Sequence, residues 1–248
     1  MLTYSSLVLI SISIGVLVGA VGVGGFFMPT ALTLVAGVTI HQGTATSLFT
    51  FIFTGIVGAI YFHKKGSINW SLVGPICIGA VLTGFAGAWV GSKLSTTMLS
   101  GVLAVMIMSA GIYTLAAGDR ATALAVGSSR KQWLILAGIG AITGFLSGLT
   151  GIGGPALSVP LMMLCGYSIL SAIGAGQVLQ IVGALSGTIA NLKFGTIDFG
   201  LAWFITIFEI CGVLLGAYII HKVDIRLIKK FVGVLCVVAG FAFMFRTL

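Results

Sequence analysis

Apolar runs about as long as a bilayer is thick follow one another along the chain, separated by short polar stretches. The runs 70–91, 99–117 and 199–220 are the clearest, and each reaches roughly the 20 residues that a helix needs to cross a bilayer. The pattern predicts an all-α polytopic membrane protein. No polar stretch is long enough to link two folded units, so we expect a single transmembrane domain over residues 1–248.

The apolar runs divide each half of the chain into five segments. In repeat 1 (about 5–117) we expect them at 5–21, 26–36, 44–62, 70–91 and 97–117. After a linker at 118–131, repeat 2 (about 132–248) holds segments at 132–150, 155–164, 172–192, 199–220 and 226–245. The second segment of each half is short, and the pattern leaves open whether it is re-entrant or fully spanning.

A glycine-rich motif interrupts both halves after the first segment. It reads Gly22-Val23-Gly24-Gly25 and returns 129 residues later as Gly151-Ile152-Gly153-Gly154. The same offset pairs Lys64 with Lys193, so the match is not confined to the abundant glycine. We interpret the chain as an internal duplication. With an odd number of segments per half, the two copies are expected to be inverted repeats with Gly-broken helices.

The charge distribution sets the expected orientation. Only 6% of the residues are charged against 58% hydrophobic, and the net charge of +8 comes from short loops, so we predict contact with membrane lipid and no nucleic acid. The more basic side, expected to be cytoplasmic, carries Lys64, Lys65, Arg120, Arg130, Lys131, Lys222, Arg226, Lys229 and Lys230. The other side keeps Lys93, Lys193 and Arg246. We expect a multi-pass protein of the cell inner membrane with both termini extracytoplasmic.

The two glycine breaks are the strongest candidates for a binding site. Each precedes a helix start, whose unpaired N–H groups and positive dipole end attract anions, and broken helices mark binding sites in transporters. The predicted substrate-binding glycines are Gly22, Gly24, Gly25, Gly151, Gly153 and Gly154. The alternative is that glycines only allow close helix packing. We favour that alternative for Gly15, Gly19, Gly58 and Gly87.

Neutral polar side chains follow each break at the expected start of the next helix. They are Thr44, Thr46 and Ser47 in the first half, and Gln177 and Gln180 in the second. Hydroxyls in membrane helices often only bond to a carbonyl one turn earlier. Two glutamines nearly one turn apart are harder to dismiss, because an unpaired buried amide costs roughly 1–3 kcal/mol. We predict that these five residues assist in binding the substrate.

Glu209 is the only acid inside a predicted span. An intramembrane carboxyl is a functional candidate by default, so we consider proton coupling, against the alternative of a protonated structural Glu. The chain lacks catalytic motifs such as Gly-x-Ser-x-Gly and His-Glu-x-x-His, and its histidines have no ligand spacing. We therefore predict no enzyme, no catalytic residue, no metal and no cofactor.

Several motifs carry a resemblance to a known family. They are Gly22-Val-Gly-Gly-Phe-Phe-Met-Pro29 with Gly151-Ile-Gly-Gly-Pro-Ala-Leu-Ser-Val-Pro160, Gly43-Thr-Ala-Thr-Ser-Leu-Phe49, and Gly66-Ser-Ile-Asn-Trp70 with Gly195-Thr-Ile-Asp-Phe199. With these motifs the chain resembles the TauE/SafE family of membrane transporters, or sulfite-exporter-like permeases. The resemblance implies movement of small sulfur-containing anions such as sulfite, thiosulfate, sulfoacetate and other organosulfonates.

Together these observations predict a secondary transporter that moves small anions by alternating access. The anion would sit between the two breaks, with a proton as the candidate coupling ion. An anion channel and a permease for carboxylates or other small metabolites are the alternatives. The pattern leaves open the exact anion, the direction of transport, the coupling ion and whether the chain forms a homo-oligomer.

Overall fold

The computed structural model describes residues 2–22, 24–116 and 129–222, together with positions 234, 237, 238 and 241. The helices of this part are α1 (Leu2–Val21), a 3₁₀ turn (Gly24–Phe26) leading into α2 (Phe27–Ala31) and a π-helical turn (Leu32–Ala36), α3 (Ile40–Lys64), α4 (Trp70–Gly91), α5 (Thr96–Ala116), α6 (Ser129–Thr150), α7 (Pro155–Leu164), α8 (Ile169–Phe194) and α9 (Phe199–Ile220). The predicted all-helical architecture is confirmed. The segment expected at 226–245 and most of the linker lie outside the described residues.

Six of the described helices are long and apolar enough to cross a membrane, as a multi-pass protein requires. These spans are Tyr4–Val21, Ile40–Lys64, Trp70–Gly91, Arg130–Thr150, Ile169–Phe194 and Phe199–Ile220. The stretches that follow the two glycine breaks, Gly24–Ala36 and Pro155–Leu164, are shorter apolar helices.

Equivalent polar residues of the two halves begin the helices that follow the broken segments. Thr39 caps α3 and Ser168 caps α8, each accepting a hydrogen bond from a backbone N–H three residues on (3.2 and 3.3 Å). Because of these caps, α3 begins four residues and α8 three residues earlier than predicted. Thr44 and Gln177 consequently lie inside their helices, which corrects the expectation that the polar clusters open them.

Glycines let helices of different halves pack backbone to backbone. The α1–α9 contact is made at Gly15, Gly19, Gly212 and Gly216, and the α4–α6 contact at Gly79, Gly87, Gly140, Gly144 and Gly148; a Cβ at any of these would meet the facing backbone. Residues later in α1 contact residues later in α9, and the same order holds for α4 and α6. The two helices of each pair therefore run parallel. Because the repeat offset relates α1 to α6 and α4 to α9, both contacts join equivalent partners. Close packing through small residues is the usual way membrane helices associate.

The bundle has two ends, which we call end A and end B. End A is where α3 and α9 begin and where α4 and α8 end; end B is the opposite end. At end A, the backbone N–H of Asp198 donates to Thr46 Oγ1 (3.2 Å), which joins α9 to α3. At end B, Ser67 Oγ and His221 Nε2 lie 3.0 Å apart.

Each broken pair of helices returns to the end at which it starts. Tyr4 near the start of α1 and Ala36 at the end of the π-helical turn line the same cavity at end A, beside Leu201 of α9. In the second half, Gln132 near the start of α6 donates to the Tyr167 hydroxyl, just before α8 (2.9 Å). Both pairs therefore fold back on themselves, and each glycine break lies inside the bundle.

Candidate functional site

The two glycine breaks terminate α1 and α6. The last backbone hydrogen bond of α1 runs from Gly22 to the Val18 carbonyl (3.0 Å), and that of α6 from Gly151 to the Ser147 carbonyl (2.8 Å). Gly22 (φ 77°), Gly151 (φ 69°) and Gly153 (φ 82°) then place the backbone in the left-handed region. Side chains are disfavoured in this region, which explains why both helices end at glycine.

The two breaks meet in the interior of the bundle. A Cβ added to Gly25 would collide with the Ile152 carbonyl, and one added to Gly22 would lie 3.0 Å from Pro155 Cβ. All six glycines predicted to bind substrate are buried. The structure therefore brings the two motifs together, with their backbones in close contact.

The second break leads directly into the N-terminus of α7. Pro155 occupies the first helical position, where its missing N–H costs nothing. The first backbone bonds of α7 run from Leu157 and Ser158 to the Gly154 carbonyl (3.4 and 3.2 Å). The N–H groups before them lie outside the helical ladder, and the positive end of the α7 dipole faces the break.

Gln177 and Gln180 of α8 each lie against one break. Gln177 Nε2 donates to the Val18 carbonyl in the last turn of α1 (3.2 Å), while its Oε1 is buried and has no partner among the described residues. Gln180 Nε2 donates to the Phe51 carbonyl (3.2 Å), and a Cβ added to Gly153 would lie 3.5 Å from Gln180 Oε1. The breaks and the two amides therefore form one buried cluster.

Of the three predicted hydroxyl residues, Thr44 is the one that contacts a break. It donates to the last carbonyl of α6 (3.4 Å), and Gly151 packs against its backbone. Ser47 donates to a carbonyl one turn earlier in its own helix (2.8 Å), and Thr46 accepts from the N–H of Asp198. Ser47 therefore bonds within α3, and Thr46 bonds to the N-terminal cap of α9.

Two further residues belong to this cluster and were not predicted. The Phe51 ring would lie 3.3 Å from a Cβ at Gly25 and 3.2 Å from a Cβ at Gly153. Ser158 Oγ is buried near the start of α7 without a partner among the described residues. Phe51 could have been found by the repeat, since its equivalent 129 residues on is Gln180. No sequence signal marks Ser158.

Glu209 lies in the middle of α9, where Thr50 of α3 lies beside its carboxyl group. Its side chain is 0% exposed. Glu209 therefore lies within a helix that is long and apolar enough to cross a membrane, as predicted for an intramembrane acid.

A cavity of about 190 Å³ lies at end A, next to the second break. Its polar lining consists of His41, Thr44, Ser92, Asn191 and Thr196. Gly148 and Leu149, from the last turn of α6, complete the wall beside the break. Neither this cavity nor the one lined by Tyr4 and Ala36 has a break glycine in its wall.

At end B, several groups pack around His221. Its Nε2 lies 3.0 Å from Ser67 Oγ, and its ring centroid lies 5.1 Å from that of Phe62. Nδ1 lies 2.6 Å from the Ala217 carbonyl. Because a carbonyl only accepts, Nδ1 carries the hydrogen, and in a neutral ring Nε2 then accepts from the Ser67 hydroxyl. The histidine thus links α9 to the loop after α3.

The cavity at end A and the contacts around His221 at end B involve equivalent positions of the two halves. The pairs, with the end A residue first, are Thr44 and Ile173, Ser92 and His221, Asn191 and Phe62, and Thr196 and Ser67. End A therefore has small or polar side chains at three positions where end B has a larger apolar or aromatic one.

The described basic residues are divided unequally between the two ends. End B has Lys64, Lys65, Arg130, Lys131 and Lys222, whereas end A has Lys93 and Lys193. This division agrees with the grouping predicted from the sequence.

Comparison with known proteins gives a consistent family. The profile described as "Sulfite exporter TauE/SafE" matches residues 7–243. The "Probable membrane transporter protein YdhB" of Bacillus subtilis is 27% identical, over 96% of this chain and 99% of its own length. The "Probable membrane transporter protein MJ0441" of Methanocaldococcus jannaschii is also 27% identical, over 77% of this chain and 73% of its own length.

A second Bacillus subtilis relative, the "Probable membrane transporter protein YjnA", is 23% identical over 95% of this chain and 97% of its own length. No solved structure gives a significant match. These names indicate a membrane transporter rather than an enzyme.

Proposed function

The chain belongs to the TauE/SafE family of membrane transporters, and from this premise we propose that it is a secondary transporter that moves small anions across the cell inner membrane by alternating access. The proposed substrates are sulfur-containing oxyanions, namely sulfite, thiosulfate and organosulfonates. The proposal that the substrate contains sulfur rests on the family description, and the proposal that it is an anion rests on the candidate site.

The observation that carries the proposal is the convergence of the two glycine breaks inside the bundle. An oxyanion accepts several N–H bonds at once, and the start of α7 offers backbone N–H groups together with a positive dipole end. The buried cluster also holds polar atoms without partners among the described residues, Ser158 Oγ and Gln177 Oε1. Unpaired buried polar atoms are rare in folded proteins, and a bound ligand is one way to satisfy a hydroxyl such as that of Ser158.

Alternating access is supported by the difference between the two ends. The cavity at end A adjoins the second break through Thr44, while His221, Ser67 and Phe62 pack together at end B. The opposite state would close end A and separate the groups at end B. In a protein with two inverted halves, the halves can exchange their conformations, and this exchange would convert one state into the other. The parallel helix pairs α1–α9 and α4–α6, built from equivalent partners, support such inverted halves.

The proposed orientation places end B in the cytoplasm, since it holds most of the described basic residues. The cavity at end A then faces the extracytoplasmic side, and the start of α1 lies on that side too. A channel would require a continuous path through the bundle. The side-chain contacts at end B therefore favour a transporter over a channel.

The test uses purified protein, first in a thermal-shift screen of sulfite, thiosulfate, sulfoacetate and a set of carboxylates. A ligand that binds only the folded state raises the melting temperature with its concentration. We expect the sulfur oxyanions to stabilise the protein. Stabilisation by carboxylates alone would instead indicate a carboxylate permease.

The site is tested in liposomes with Gly153→Leu, whose side chain would enter the Phe51–Gln180 contact at a positive φ. We expect transport to be lost. The matched control is Gly138→Leu on α6, where an added Cβ meets nothing within 4 Å. Normal transport by a folded Gly153→Leu protein would place the substrate elsewhere. Accumulation against an anion gradient, driven by a pH gradient, would exclude a channel.

A further inference from the structure

Glu209 is a completely buried carboxyl group, and the described residues place no counter-charge beside it. Neither carboxyl oxygen has a hydrogen-bond partner among the described residues. Thr50 lies beside it, but the Thr50 hydroxyl donates to the Ser47 carbonyl (2.9 Å). An ionised carboxylate in such a place has a large desolvation cost, whereas a proton removes the charge.

In the part of the chain that the structure describes, the helices that pack against α9 bring no cation to this level. Gly15 of α1 packs on the backbone carbonyl of Glu209 itself, and the described part of α1 contains no charged residue. The titratable groups on the described parts of α1, α3 and α9 lie near helix ends or on the exposed surface: Tyr4, His41, Tyr61, His63, Lys64, Cys211, Tyr218 and His221. A bound proton is therefore the available way to neutralise Glu209.

A chain of polar groups leads from Glu209 to the second glycine break. The Thr54 hydroxyl donates to the Thr50 carbonyl (3.4 Å) and accepts from Gln180 Nε2 (3.0 Å). Gln180 in turn lies against Gly153, where a Cβ would be 3.5 Å from its Oε1. The acid and the break are thus connected through α3 and α8, so a charge at one site influences the other.

We propose that Glu209 is the site that binds the transported proton, and that proton and anion cross the membrane together in the same direction. This inference rests on the proposed function. An anion at the breaks repels an ionised Glu209, so anion binding favours the protonated carboxyl. By linkage, protonation strengthens anion binding to the same extent. One proton and one anion then move in each cycle, and the proton leaves Glu209 when the anion departs.

The test compares two assays in liposomes, with radiolabelled thiosulfate and sulfoacetate as probes, because their charge does not change near neutral pH. The first assay is net uptake driven by a pH gradient; the second is exchange of labelled for unlabelled anion without a gradient. Glu209→Gln mimics the protonated side chain. We expect this variant to retain exchange, while its gradient-driven uptake falls at least about fivefold. A change of about fivefold is the lower limit of typical coupling between two binding sites.

Glu209→Asp keeps an ionisable group at the position and should restore part of the pH response. A merely structural carboxyl would affect both assays alike, so loss of both by a folded Glu209→Gln protein overturns the inference. Gradient-driven uptake by Glu209→Gln at the wild-type rate overturns it as well. If the wild-type protein exchanges the anions but the pH gradient does not drive uptake, the proposed proton coupling is wrong and the proposed anion transport is retained. If the wild type moves neither probe and no anion stabilises it, the proposed function fails too.

Discussion

End A and end B are related by the 129-residue offset between the two halves of the chain, yet end A contains a cavity while side chains pack around His221 at end B. The helices at both ends begin at equivalent caps. Three pairs of equivalent glycines lie in the α1–α9 and α4–α6 contacts, namely Gly15 and Gly144, Gly19 and Gly148, and Gly87 and Gly216. The difference lies in a few side chains. Asn191 at end A corresponds to Phe62 at end B, and Ser92 corresponds to His221.

Under the proposed transport function, the two ends are similar entrances, and this difference teaches that side-chain volume decides which entrance is closed. At end B an imidazole and a phenyl ring pack at 5.1 Å between centroids, and one hydrogen bond ties the imidazole to Ser67. Aromatic pairs and single hydrogen bonds each contribute about 0.5–1.5 kcal/mol. Closure by such weak contacts is reversible, as a transport cycle requires.

The largest effect is expected from making end A resemble end B. The double variant Asn191→Phe with Thr44→Ile places end B side chains in the cavity wall, and we expect the phenyl ring to fill the cavity and abolish uptake by liposomes. Leu192→Phe is the control, because Leu192 is 63% exposed and faces away from the bundle interior. Uptake at the wild-type rate by the double variant would show that the cavity is not an entrance.

A smaller effect is expected from opening end B with His221→Ala, which removes the Ser67 and Phe62 contacts together, or about 1–3 kcal/mol. The readout is labelling of an Ile173→Cys reporter by a polar thiol reagent, in a background without the native cysteines. Ile173 is fully buried, and we expect its labelling to accelerate. Ser67→Ala, which loses only the hydrogen bond, should accelerate it less. Equal labelling in all three proteins would mean that His221 does not close end B.

The smallest effect is expected from charge near the cavity. Lys193 lies 5.4 Å from the ring of Phe194, which lines the cavity, and it would attract anions to this entrance. We expect Lys193→Gln to raise KM for anion uptake into liposomes about twofold at low salt, with no difference at high salt because ions screen exposed charges. Lys131→Gln at end B is the matched control for uptake from end A. A salt-independent change would point to a structural role instead.

Much of the helical architecture was predictable because it depends on local properties of the chain. Apolar runs of bilayer length define the spans, and glycine at equivalent positions marks where α1 and α6 end. The starts of α3 and α8 were predicted less well, since the caps Thr39 and Ser168 precede the apolar runs. In the site, Gln177 and Gln180 were predicted to assist binding, and the structure brings them to the breaks. Thr46 and Ser47 have other contacts, which residue type alone does not reveal.

The sequence by itself therefore determined the class of the protein, the 129-residue spacing of its two glycine motifs and the two points where the helices break, because hydrophobic length and the absence of a Cβ act within one segment. Only the tertiary structure decided that the breaks touch, that Phe51 and Ser158 join them, and that a cavity lies at end A while side chains pack around His221 at end B. These features depend on which side chains from distant helices fill the same space. Close packing is a property of the assembled bundle, not of any single segment.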